Sequence, residues 1–200
     1  MNIKARSSAR LLAAALALGA LGLAGCATQH TTAVSADTKA VQPAPAERAH
    51  YFLVFHENGR LYAFSDPALY LLFLEHDEVP LTRTRIGGGP EGQTVIFGLT
   101  KKEAEIPLNV PIAAEKFFDD KAGEVGAFYG EVIHNGRYYV FGEWQDLKDF
   151  LQHKEVAWTY TEIGAGPKGE TVIYALNKKT KDAGRPVVLV ESFKKLHQKK

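Results

Sequence analysis

The chain has 200 residues, 46% of them apolar and 24% charged, with a formal net charge of +1. That balance allows one or two domains with an ordinary apolar core and gives no overall electrostatic drive toward nucleic acid. The only cysteine is Cys26, which excludes an internal disulfide, so packing alone must hold the fold.

Residues 1–25 begin with Lys4, Arg6 and Arg10 and then run apolar from Leu11 to Leu23 without a charge. A charged start followed by a short greasy run predicts an export signal, and its length is too small for a spanning helix. The run closes on Leu23-Ala24-Gly25-Cys26. These four residues resemble the lipobox of bacterial lipoproteins. The resemblance implies cleavage before Cys26, which becomes the acylated first residue, and Ala27 after it implies the outer membrane, facing the periplasm. Several acyl chains at about 0.8 kcal/mol per buried CH₂ make a durable membrane anchor. No other cofactor is implied at this end. Losing the three signal cations leaves 21 Lys+Arg against 23 Asp+Glu, a balance of −2.

Residues 26–49 are rich in Ala, Thr, Gln and Pro without apolar periodicity, which predicts a lipidated cysteine followed by a disordered tether. A tether of this kind holds the folded part roughly 25 Å from its anchor.

Beyond the tether the chain repeats itself. Asn58–Lys102 recurs 77 residues later as Asn135–Lys179, with 23 of 45 aligned positions identical, where ordinary composition gives roughly one in fifteen. The expectation is an α+β body of two tandem ββαββ units, residues 50–125 and 126–200, forming antiparallel sheet with helices on it. Each unit opens with a hairpin, Tyr51–His56 with Arg60–Phe64 and Phe128–Ile133 with Arg137–Phe141. Asn58-Gly59 and Asn135-Gly136 predict type I′ turns.

A helix follows each hairpin. Ser65 or Asp66 can cap the first, and Pro67 suits its opening turn. Trp144, Leu147, Phe150 and Leu151 draw one apolar stripe on the second. In the first, Leu69 to Leu74 are apolar in succession, which predicts a helix buried between the two units or, as the alternative, an apolar docking patch. A second hairpin then pairs Leu81–Ile86 with Thr94–Leu99, and Trp158–Ile163 with Thr171–Leu176. The glycine-rich loops between these strands read as turns, because a phosphate loop would open a helix and carry a Lys-Ser/Thr pair. Ile112–Asp120 reads as a short linking helix, while Val187–Leu196 fits strand or helix equally.

Several matched residues are candidates for a site. Arg60, Tyr62, Arg137 and Tyr139 follow the two tight turns, and with the matched histidines they would line a groove between the units. A guanidinium there can hold an anion or lie over a tyrosine. His76 and Glu78, with His153 and Glu155, repeat just past each helix. Brought together across a twofold they would offer two imidazoles and two carboxylates to a divalent metal, whereas separately each histidine merely suits its helix C-terminus. His56 and His134 flank the turns at non-equivalent positions and read as surface residues.

Gly59-x-x-Tyr62-x-Phe64 with Phe73-Leu74, and Gly136-x-x-Tyr139-x-Phe141 with Phe150-Leu151, resemble the YHS family of small metal-associated modules. The resemblance covers about 20 residues per unit and implies a hairpin–helix scaffold. The family's cysteines are replaced by Ser65 and Leu69 in one unit and by Gly142 and Asp146 in the other, so its thiolate chemistry does not carry over.

No His or Asp is spaced to serve a nucleophile, so the expected function is non-catalytic. It is a binding or assembly module anchored in the cell envelope, with the membrane and another envelope protein as partners and no nucleic acid. The alternatives are a metal-binding or metal-delivering lipoprotein using the His-x-Glu pairs, and an enzyme whose residues meet only in three dimensions.

Overall fold

The computed structural model describes residues 48–198. The export signal, Cys26 and nearly all of the tether lie outside the described residues. Thirteen elements follow in order: β1 (Ala49–Phe55), β2 (Arg60–Phe64), α1 (Pro67–His76), β3 (Thr82–Arg85), β4 (Thr94–Gly98), α2 (Lys101–Ala104), α3 (Ala113–Phe118), β5 (Phe128–His134), β6 (Arg137–Phe141), α4 (Trp144–His153), β7 (Trp158–Glu162), β8 (Thr171–Leu176) and α5 (Val187–His197). The class is α+β. Among the described residues no helix is long and apolar enough to cross a membrane.

All eight strands join one sheet, ordered β3-β4-β2-β1-β5-β6-β8-β7. The sheet is mixed, which corrects the antiparallel expectation. Each hairpin is antiparallel, but β2 pairs with β4, β6 with β8, and β1 with β5 in parallel. The polarity of the strands explains this. Val95, Ile96 and Phe97 make β4 apolar on both faces, as Val172, Ile173 and Tyr174 do for β8. Thr82-Arg83-Thr84-Arg85 and Trp158-Thr159-Tyr160-Thr161-Glu162 suit an edge. Each second hairpin therefore docks through its later strand, which runs the same way as the strand it meets.

Both sheet faces are covered. Tyr51, Leu53, Leu61, Val95 and Phe97 form one core with Phe117 of α3 and Trp144, Leu147 and Phe150 of α4. Phe52, Val54, Tyr62 and Phe64 form the other with Tyr70 and Phe73 of α1 and Val190 and Phe193 of α5. The helices α1 and α4 therefore lie on opposite faces. Alternation along β1 offers an apolar surface to each, since neighbouring residues belong to different cores. The first helix is not buried between two bodies as expected. It lies on the sheet beside β1 and β2, with Tyr70 and Phe73 inward and Leu72 36% exposed.

The two opening turns differ. Asn135 and Gly136 both have positive φ, at 52° and 68°, in a two-residue turn between paired His134 and Arg137. In the first hairpin only Gly59 does, at 75°, and its N–H donates to the His56 carbonyl in a three-residue loop. Glu57 is the extra residue. The register places Phe55 opposite Leu61 and Ile133 opposite Tyr138, so His56 and His134 each stand one residue beyond an equivalent pair. Both are half-buried against a helix phenylalanine, with ring centroids 5.8 Å from Phe73 and 6.5 Å from Phe150. They are neither non-equivalent nor plain surface residues.

Asp66 caps α1 by accepting from the Leu69 N–H at 2.9 Å. Val187–His197 is helix, because Val190 and Phe193 are spaced to reach the sheet from one helical face.

Candidate functional site: a cleft beside Asp146 and a sealed carboxylate

The structure does not bring the sequence-marked residues together. Arg60 and Tyr62 share the face of the α1 core, whereas Arg137 and Tyr139 share the face of the α4 core. No groove between two units contains all four. His76 and Glu78 follow α1, and His153 and Glu155 follow α4, so the two pairs are on opposite sides of the sheet. All four side chains are exposed. The spacing has a local cause. The intervening residues, Asp77 and Lys154, are left-handed helix caps whose N–H groups donate to the Phe73 and Phe150 carbonyls. Among the described residues no group of three His, Cys, Asp or Glu is placed to hold a metal ion.

Two polar features escaped the sequence reading. The first is Glu131, in the middle of β5 and wholly buried. It accepts from the Tyr70 hydroxyl at 2.7 Å and from the Tyr129 hydroxyl. His197 Nε2 lies 2.9 and 3.1 Å from its two oxygens. Burial, and then the Glu131 charge, push both phenols well above the usual tyrosine range, so they remain protonated donors. The cluster joins α1, β5 and α5. It is closed to any substrate, and the chemistry it performs is anchoring.

The opposite face carries a contrast. Tyr51 is as buried as Tyr129, but its hydroxyl has no hydrogen-bond partner among the described residues. Two residues beyond Tyr129 stands Glu131, and two beyond Tyr51 stands Leu53. Tyr129→Phe is therefore expected to lose about 1.5–3 kcal/mol, the worth of a hydrogen bond to a charged group, while Tyr51→Phe is neutral or stabilising. Urea unfolding of both variants checks this. A larger loss at Tyr51 would contradict it.

The second feature is a cleft of about 480 Å³ where the chain leaves β8 and enters α5. Phe128, Leu176, Pro186, Val187 and Leu189 supply apolar walls, and Arg48, Arg185, Glu143 and Asp146 supply charge. Asp146 is the third residue of α4, where α1 has Leu69. Its Oδ2 accepts from the Asn177 Nδ2 at 2.9 Å. The Asn177 amide is itself oriented, since its Oδ1 accepts from the Lys179 N–H at 3.0 Å. Burial raises the Asp146 carboxyl above the ordinary carboxylate range, with the Glu143 and Asp149 charges adding to the rise. The Asn177 hydrogen bond and Lys179 work against it. Arg48 closes the other side, donating to the Ser192 hydroxyl of α5 at 3.0 Å. Gly142 and Asp146, two positions where the YHS pattern carries cysteine, both line this cleft.

Neither a family model, nor a curated protein, nor a solved structure matches the chain.

Proposed function

We propose that this is a non-catalytic binding module of the cell envelope, tied to the outer membrane by lipid on Cys26 and receiving a small ligand in the Asp146 cleft. The observation that carries the reading is the cleft itself. Its volume falls in the range of ligand sites, roughly 300–1,000 Å³, and its walls are apolar with a few converging polar groups. A carboxyl shifted by burial within it is a further mark of a working site.

The body is a doubled ββαββ unit fused into one sheet. The 45-residue recurrence supports this, as does the matching pairing of β1, β2 and β4 with β5, β6 and β8. In this reading the second unit diverged to make the cleft, with Asp146 in place of Leu69.

Gly142 provides the test. A Cβ built there meets only the Leu189 Cδ1, at 3.7 Å, and its φ is not positive. Gly142→Phe should therefore fill the cleft without straining the backbone. Residues 42–200 are expected to bind the uncharged fluorophore N-phenyl-1-naphthylamine saturably, and Gly142→Phe to lose that binding with an unchanged Tm. Binding that survives the filled cleft would refute the assignment.

A further inference from the structure

The charges around the cleft are unevenly satisfied. Arg185 is neutralised by Glu162, with nitrogens 3.2 and 3.1 Å from one carboxylate oxygen. Lys179 lies 3.6 Å from Glu143. Asp146, half-buried, has only the uncharged Asn177 amide as a hydrogen-bond partner, and among the described residues no lysine or arginine nitrogen lies within 4.0 Å of it. Its carboxylate is thus partly desolvated and short of a cationic donor, beside a wall of Phe128, Leu176 and Leu189. Such a group gains most from a ligand that brings positive charge and N–H donors together.

We propose that the cleft takes an amphipathic ligand bearing a protonated amine, with its ammonium on Asp146 and its apolar part along Phe128, Leu176 and Leu189. The proposal rests on the binding reading above and names its ligand class. Arg48 keeps its charge on the far side of the cleft, where its guanidinium donates to the Ser192 hydroxyl on α5, and the ammonium is placed on the Asp146 side.

The experiment is a displacement assay on residues 42–200 carrying N-phenyl-1-naphthylamine, with n-octylamine and octanoate as competitors of equal chain length at pH 7. The octylammonium ion should displace the probe at about one-tenth the concentration of octanoate, the worth of a single charge-assisted hydrogen bond. Asp146→Asn should erase that preference, with each competitor read against the variant's own affinity for the probe. Asn keeps an oxygen to accept from the Asn177 amide, so the variant is expected to fold. The Asp146 pKa is raised in the folded state, so its charge costs stability above that pKa, and Asn removes the cost at pH 7.

Octanoate displacing as well as octylammonium, or a preference that survives Asp146→Asn, would overturn the ligand class while leaving the cleft a binding site. If the probe does not bind, calorimetry with n-octylamine alone decides. Saturable heat removed by Asp146→Asn supports the proposal, and no heat overturns it together with the binding reading.

Discussion

His197→Ala is expected to destabilise the fold by about 3–5 kcal/mol, the cost of stripping one partner from a buried charged group. Glu131 has no exposure, and the His197 side chain is 6% exposed, so no solvent is at hand to replace the imidazole. The variant leaves Glu131 with two phenol donors in an apolar core, and α5 loses its hydrogen bond to β5. Glu131→Leu alone should also be costly, by about 1–3 kcal/mol for each buried polar group that it orphans. The double variant Glu131→Leu, His197→Leu should recover most of the loss, because a buried polar pair replaced by well-packed apolar residues is often neutral. Leu53 shows that the sheet accepts leucine two residues beyond a buried tyrosine. Urea unfolding of residues 42–200 measures all three. A His197→Ala variant within 1 kcal/mol of the parent would show that the cluster does not anchor α5.

Arg83→Ala is the second large effect, also about 3–5 kcal/mol. Arg83 stands on the edge strand β3 yet is 8% exposed. Its guanidinium donates to the Ile106 carbonyl at 2.6 Å, the Pro107 carbonyl at 3.2 Å, the Val110 carbonyl at 2.9 Å and Glu115 Oε2 at 3.0 Å. Glu115 Oε2 in turn accepts from the Ile112 N–H at 3.0 Å. Arg83 thus fastens α3 and the segment before it to β3, and its loss strands three carbonyls and takes from Glu115 its closest cation. Arg83→Lys keeps the charge but has no planar fork to reach four acceptors, so it should recover less than half of the stability. Thermal and urea unfolding of the two variants check the order. Equal stability of Lys and Arg would mean that charge alone matters there.

The parts of this fold that were legible in the sequence rest on local signals. Asp66-Pro67 marks a helix start, Asn135-Gly136 fixes a two-residue turn, and the glycine-rich loops join strands as their composition requires. Thr100 and Glu103 make a reciprocal cap on α2 that was readable too, though four residues are too few to register as a helix. What could not be read depends on distant partners. Both faces of β1 are apolar, so nothing local says which face α1 or α4 will cover. The polarity of Thr82–Arg85 against Thr94–Gly98 did carry the order of the edge strands, and with it the mixed sheet.

The candidate site was hidden for the same reason. Asp146 looked like an ordinary acidic residue in a first helical turn, and Asn177 stands 31 positions away. Glu131 was a lone charge in an apolar strand, a signal that could have been noticed. Its partner His197 is 66 positions on, in a stretch whose leading valines suit a strand as well as a helix. The matched pairs His76-Glu78 and His153-Glu155 drew attention because they recur, but recurrence alone does not bring residues together.

The most direct measurement is an amide map of the probe titration on residues 42–200. Binding in the cleft should move the signals of Gly142, Asn177 and Leu189 in proportion to one another and leave Gly59 and Gly136, at the hairpin turns, in place. Shifts centred on those turns, with Gly142 and Asn177 unmoved, would contradict the assignment of the ligand site.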